Sequence, residues 1–435
     1  MKRAITDQTC GERSRPRIRV PAEGRGADVL GALPRGPERL NGSTVAILTG
    51  GGDKPYALGL ASALIDRGVR FDFIGSDEVD GPELHNTAQV TVLNLRGDQR
   101  PNAGIWEKTV RVLKYYGRLF RYTRTAKPRV FHILWNNKFA LLDRTILMLY
   151  YRLLGKKIVF TAHNVNAGKR DGNDTIINRL TLKAQYRLAD HIFVHTAKMK
   201  DELVRDFGEN PDKVTVIPFG INSTVPNTAL TPAEARERLG LATSDKVILF
   251  FGRITPYKGL EHLVSAFTTV ARECASFRLI IAGRLERTSG YCRRVEEAIA
   301  RSGVRSRIIQ RIEFVPDEET EIYFKAADVL VLPYTHVFQS GVLFLGYNFG
   351  LPAIASDVGS LREEIVEGAT GFVFKAADDD DLTRVIRLYF SSGSYTNPER
   401  RRETIRKLAS DRYSWSKVGT IIAGVYSSLL NAAGR

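Results

Sequence analysis

Arg253 and Lys258 stand on either side of a Pro-Tyr turn in residues 247–259, VILFFGRITPYKG. The apolar run ahead of them stops at Gly252, and helical periodicity resumes at Leu260, Leu263, Val264 and Phe267. Two cations between a strand end and a helix N-terminus make a place for a diphosphate: arginine offers a planar fork, lysine a point charge, and the helix its free backbone N–H groups. Solvated loop charges show the same pattern, so the pair gains meaning only from its company. A second anion-receptive spot is Gln339-Ser340-Gly341, a Ser-Gly turn opening onto the apolar run VLFLGY. A third is Gly50-Gly51-Gly52-Asp53-Lys54, where glycines permit close approach of the backbone to a ligand, although such loops also serve as plain tight turns. Of the seven histidines, His163 ends the strand-like KIVFTAH and should face a cleft, with a capping imidazole as the alternative. His195 closes another strand pattern and is the weaker candidate. No His or Cys group has metal-ligand spacing, and Asp-x-Asp occurs only inside the acidic run Asp378–Asp381, so no metal is expected.

The elements that must hold these residues follow from periodicity. A strand at 44–48, a helix at 56–66 and a strand at 71–75 make a Rossmann-like unit. Further strands are predicted at 129–135, 157–163, 191–195 and 214–220. Residues 221–232, INSTVPNTALTP, break all periodicity and read as a linker. Beyond it, short apolar runs end in Gly, Pro or Asp and alternate with helix-length segments, a parallel α/β pattern whose strand C-termini form the ligand edge. A chain of 435 residues exceeds the usual single domain, so two are expected.

The ordered succession GR…YKG, IAG, ADVLVLPY, GLPAIASDVGSLREEI and GATGFVF resembles the donor-binding half of glycosyltransferase family four, the glycosyl transferases group 1. The resemblance implies the α/β GT-B fold, two Rossmann-like domains facing each other across a cleft. Its domains would be an N-terminal acceptor domain over 43–225 and a donor domain over 226–412. Residues 413–435 would form a helix crossing back to the first domain, and 1–42 a flexible basic extension. It further implies that Arg253 and Lys258 clamp the departing nucleoside diphosphate and that His163 lies beside the anomeric centre. Donor contacts would come from Gly51, Gly52, Gly252, Gln339, Ser340, Gly341 and Glu363, the last ordering its loop. Acceptor contacts would come from Asp53, Lys54 and Asn164. The family retains anomeric configuration by front-face substitution, the leaving phosphate taking the acceptor proton, so neither a protein nucleophile nor a cofactor beyond the nucleotide-sugar donor is expected.

The chain departs from the family in one respect. The family's Glu-x7-Glu pair falls on Val337 and Leu345, and no glutamate stands between Glu321 and Glu363. It resembles a subgroup in which the Gln-Ser-Gly turn replaces the acidic loop; a decayed donor site is the alternative.

A net charge of +16 asks for an anionic partner. Nucleic-acid motifs are missing, whereas residues 108–129, KTVRVLKYYGRLFRYTRTAKPR, carry no acid. On a helix, Arg111, Lys114, Arg118 and Arg121 share one stripe, and Val112, Leu113, Tyr116, Leu119 and Phe120 another, which suits an anionic membrane surface as well as a solvated basic face. The longest apolar stretch, around 145–154, is broken by Arg152 and too short to span a bilayer. Cys10, Cys274 and Cys292 form no disulfide pattern, which fits a reducing cytoplasm.

The expected protein is a cytoplasmic, peripherally membrane-attached hexosyltransferase. It would move a hexose-type sugar from a nucleotide diphosphate onto a glycan or lipid-linked glycan in polysaccharide, for instance exopolysaccharide, biosynthesis. A catalytically silent sugar-nucleotide-binding partner subunit is the alternative outside enzymes. A GT-B epimerase is the rival within them, though it needs cleft carboxylates that the candidate region lacks.

Overall fold

The computed structural model describes residues 44–50, 53–100, 104–137, 139–170, 174–221, 225–285, 290–392 and 397–432. Gly51, Gly52 and the basic N-terminal segment lie outside these residues. Two parallel sheets dominate. The first takes β1 (Thr44–Leu48), β2 (Arg70–Gly75), β3 (Val90–Asn94), β4 (Val130–Ile133), β5 (Lys157–Thr161), β6 (His191–Val194) and β7 (Val214–Val216), in the order 3-2-1-4-5-6-7. The second takes β8 (Lys246–Phe251), β9 (Phe277–Ala282), β10 (Ile308–Arg311), β11 (Val329–Leu332), β12 (Ala353–Ser356) and β13 (Gly371–Phe374), in the order 10-9-8-11-12-13.

Central strands read as unbroken apolar runs because helices cover both faces. Along β1, Ala46 and Leu48 point to one core and Val45 and Ile47 to the other. Along β8, Val247 and Leu249 alternate in the same way with Ile248 and Phe250. The sequence reading passes over β3 and β10. Both are edge strands of mixed exposure, so neither shows a clean apolar signal. The strand expected at 214–220 ends at Val216, just ahead of Pro218.

The Ile105–Thr125 helix, the Leu147–Leu153 helix with the π-helical turn Leu142–Ile146 before it, and the Ile176–Leu188 helix contribute to one core of the first sheet. The other core receives the Lys54–Asp66 helix and the last helix, Trp415–Ala432, which crosses back from the second half. Val418, Ile422 and Tyr426 of that helix are buried there, and the Tyr426 hydroxyl meets His132 Nδ1 at 2.5 Å. Where the chain passes between halves, its two crossings touch. Ile221 N–H donates to the Tyr413 carbonyl at 3.2 Å, and Trp415 Nε1 to the Ile221 carbonyl at 2.9 Å. The Trp415 indole lies against Gly59 and Gly220, and a Cβ on either would sit 2.2 Å from its ring.

Candidate active site

Each sheet reverses its strand order once, between β1 and β4 in the first and between β8 and β11 in the second. In parallel sheets the crevice beyond the strand C-termini at such a reversal is where ligands bind. Gly50 follows β1 and Trp135 follows β4; Gly252 and Arg253 follow β8, and Tyr334 follows β11.

A cavity of ≈ 320 Å³ joins the two halves. The first half contributes Asp53 and Tyr56; the second contributes Lys258, Gln339, Ser340 and Gly341; Trp415 lies at the junction. A larger cavity of ≈ 940 Å³ adjoins it within the second half, lined among others by Gly252, Arg253, Arg284 and Asp317. Leu345 lines both, and Val337 the first. The two positions of the family glutamates therefore do face the cavities, as apolar wall.

Lys258 ends a short 3-10 turn, Pro256–Lys258, and Gly259 at φ 60° turns the chain into the Leu260–Glu273 helix. Only glycine fits there, because a Cβ would meet the Pro333 carbonyl oxygen at 2.1 Å. The turn drives the Lys258 ammonium inward, 5.1 Å from the centre of the Tyr334 ring and beside Gly252. Burial pulls its pKa down to about 8; nearby Tyr257 acts against that shift and the Arg253 charge adds to it. Arg253 itself is exposed on the wall of the larger cavity.

Ser340 holds the N-cap position of the Gly341–Asn348 helix without bonding its backbone, its hydroxyl donating to Tyr334 Oη at 3.3 Å, so the helix N-terminus keeps its backbone donors free beside the cavity. Both polar atoms of the Gln339 amide are buried with no hydrogen-bond partner among the described residues. Such a group carries a desolvation cost that a ligand's hydroxyls can relieve. Asp53 caps the Lys54–Asp66 helix by accepting from the Tyr56 N–H at 3.1 Å. Burial raises its pKa, partly countered by that hydrogen bond, and the Asp317 charge pushes it further up.

His163 stands two residues past β5, as its strand-end position predicts, but it opens into neither cavity. Its ring stacks on Trp135 (centroids 4.2 Å apart, planes at 5°) and meets Tyr56 edge-on at 4.6 Å. Tyr56 and Phe219 stand between it and the smaller cavity as lining residues. His195 Nε2 lies 3.1 Å from His163 Nδ1, a contact the sequence reading did not foresee. Burial lowers both imidazoles, His195 to about 4 against the Ile217 and Pro218 carbonyls, and the His195 ring adds to the effect on His163. The pair is therefore neutral near pH 7, with one ring nitrogen donating to the other.

Of the remaining expected residues, Lys54, Asn164 and Glu363 line neither cavity. Glu363 is exposed, and its carbonyl accepts from Arg412 at 3.1 Å. Its neighbour Glu364 is the buried one, bonded by the Tyr413 hydroxyl. Gly50 is needed for packing, since a Cβ there would lie 2.3 Å from the Trp135 carbonyl oxygen. Arg284 and Asp317 were not anticipated; Arg284 obeys the same rule as Arg253, a cation just past a strand-ending glycine, here Gly283 after β9.

Two Rossmann-like domains with an anion-receptive cleft at facing switch points define a GT-B glycosyltransferase. Comparison with known proteins gives the family. Residues 50–225 match the model "Glycosyltransferase Family 4" and residues 232–408 match "Glycosyl transferases group 1", so the chain belongs to the family-four glycosyltransferases. It is 33% identical over 205 residues to a D-inositol 3-phosphate glycosyltransferase of Streptomyces scabiei, 46% of each chain; this chain thus spans about half the length of that relative. Among solved structures it is similar to sucrose-phosphate synthase from Thermosynechococcus elongatus (TM-score 0.72, 18% identity, 90% of this chain and 100% of that one). It is also similar to Anabaena HepE in complex with UDP-glucose (TM-score 0.66, 16% identity, 89% and 99%). No helix among the described residues is long and apolar enough to cross a membrane.

Proposed function

We propose that the chain is a retaining hexosyltransferase that takes its sugar from a nucleotide diphosphate and delivers it to a glycan or lipid-linked glycan at a membrane surface, in polysaccharide biosynthesis. The observation that carries this reading is the buried ammonium of Lys258, held in the interdomain cavity next to the Gln339 amide and the Gly341–Asn348 helix N-terminus. In this reading the nucleoside occupies the larger cavity, and its diphosphate lies between Arg253 and Lys258. The sugar sits against Gln339, Ser340 and the amide of Gly341, which take over the task of the two family glutamates. Asp53 meets the acceptor from the facing domain. As the glycosidic phosphate bond breaks, the two cations stabilise the charge gathering on the diphosphate, whose oxygen takes the acceptor proton. His163 and His195, neutral and packed behind Tyr56, keep that wall of the cleft in place. The bound UDP-glucose of the Anabaena protein, which shares this fold, agrees with such a donor.

The test is a thermal-shift screen of UDP, GDP and ADP followed by transfer assays with the matching sugar nucleotides. One nucleoside diphosphate should stabilise the protein, and Arg253→Ala should lower transfer by a factor on the order of 100 or more. Stabilisation without transfer to any acceptor would leave a sugar-nucleotide-binding partner subunit, and no response to any nucleotide would overturn the reading. Since the clamp charge comes from Arg253 and Lys258, EDTA should leave the transfer rate unchanged.

A further inference from the structure

Past the C-terminal end of β3, a groove of ≈ 450 Å³ runs along the start of the Ile105–Thr125 helix. Arg96, Arg100, Arg111, Lys114 and Arg118 line it, against only two acids, Asp98 and Glu107. Asp98 is engaged locally, its carboxylate by Arg100 and its carbonyl by Arg111. The Arg96 guanidinium lies 5.2 Å from the centre of the Tyr115 ring, and its Nη1 is buried with no hydrogen-bond partner among the described residues. A concave site with surplus cations and an unsatisfied guanidinium nitrogen has the chemistry to receive a phosphate.

What surrounds the groove says which phosphate. Trp106, 79% exposed, stands on its wall. The helix beside it, Leu147–Leu153, is tied to the Ile105–Thr125 helix by Tyr150 donating to the Phe120 carbonyl, and to the Ile176–Leu188 helix by Arg152 donating to the Leu188 carbonyl. On this side-by-side layer Ile146, Leu149 and Leu153 are exposed on the middle segment, and Ile176, Ile177 and Leu180 on the third helix. Large apolar side chains at 50 to 78% exposure on adjacent helices are an unusual surface for water. In parallel α/β units each helix starts at the edge where its preceding strand ends, so Ile105, Trp106, Ile176 and Ile177 lie at the cleft edge of the domain.

We propose that this three-helix face seats on an anionic phospholipid bilayer, the groove holding a lipid phosphate and the exposed isoleucine, leucine and tryptophan side chains entering the interface. The inference deepens the membrane part of the function proposed above and rests on it. It places the cleft edge of the acceptor domain at the lipid surface, so that a lipid-linked acceptor reaches the cleft without leaving the bilayer. The apolar stripe expected on the Ile105–Thr125 helix does not supply the contact: Tyr116 and Leu119 are buried against the sheet, and only Leu113 points outward.

The test is flotation of the full chain with vesicles of phosphatidylcholine alone and of phosphatidylcholine with phosphatidylglycerol. Binding should require the anionic lipid and weaken with salt. Replacement of Arg96, Arg111, Lys114 and Arg118 by Gln should lower it roughly fivefold per cation. Because Arg111 and Arg118 also bond the backbone, the exposed set Ile176→Ser, Ile177→Ser, Leu180→Ser provides an independent variant, expected to lower binding more than about tenfold with unchanged melting. Three results would overturn the proposal. One is equal or no binding to both vesicle types. Another is a thermal shift with inorganic pyrophosphate, lost in the Gln variant, without vesicle binding, which would mean a free phosphate ligand. The third is a dimer abolished by the Ser variant, which would mean that a second copy covers the face. Nucleotide-induced stabilisation reads the donor site separately, so failure here and failure of the donor reading are distinguishable.

Discussion

Lys258 carries its charge in a setting that resists it, buried and with a second cation nearby, and the Tyr334 ring face at 5.1 Å offsets this only in part. Its pKa near 8 lies below the ordinary 10.5, so between those values the unfolded chain holds a proton that the native state has released. The cost of the buried charge is thus fully present below about pH 8 and disappears as the pH rises toward 10.5. Nucleotide-free stability should climb through that window in urea titrations. Diphosphate binding should do the reverse, because it needs the protonated form. The dissociation constant for the nucleoside diphosphate is expected to rise up to about tenfold per pH unit above 8 until the complex itself titrates. Lys258→Met keeps the stem and removes the charge. It should raise nucleotide-free stability by about 1–3 kcal/mol, allowing for the lost ring contact, and abolish the nucleotide-induced shift. A nucleotide-induced shift that survives in Lys258→Met would sink the assignment of Lys258 as the clamp.

At the scale of elements, the proposed clamp depends on one turn. Gly259 holds φ 60° with the Pro333 carbonyl oxygen 2.1 Å from where a Cβ would be. Gly259→Ala should cost about 2–4 kcal/mol through backbone strain and that clash, and weaken nucleotide binding without touching a ligand-lining side chain. A fully stable variant with normal binding would show that the turn does not position Lys258. This turn was legible in the sequence, because a strand-ending glycine, a Pro-Tyr step and a resumed helical period are local signals. So were the central strands, whose apolar runs need no context. The edge strands β3 and β10 were not, since their mixed exposure imitates a loop. The placement of His163 was half legible. Its position past β5 follows from the pattern, but the Trp135, Tyr56 and His195 rings that enclose it come from three separate segments, and no local period announces such a meeting. The surface proposed to face lipid was legible as basic charge on one helix, whereas its apolar part needed three helices laid side by side.

For the whole molecule, the two facing halves are tied where Trp415 fills the slot between Gly59 and Gly220. Gly220→Ala forces a Cβ into the indole and should destabilise the protein by about 1–3 kcal/mol, seen as an earlier melting transition. Equal melting of variant and parent would mean that the ring moves aside freely. The crossing segments that meet at this residue do more than join two domains. A single tether would let one half swivel about the other in any direction; two tethers bonded to each other at Ile221, Tyr413 and Trp415 leave one axis, as a door has on its jamb. In the function proposed above, closure on a donor would follow one arc and bring Asp53 back to the same place opposite Gln339. Alignment of donor and acceptor would in that reading be stored in the joint rather than found anew by each substrate.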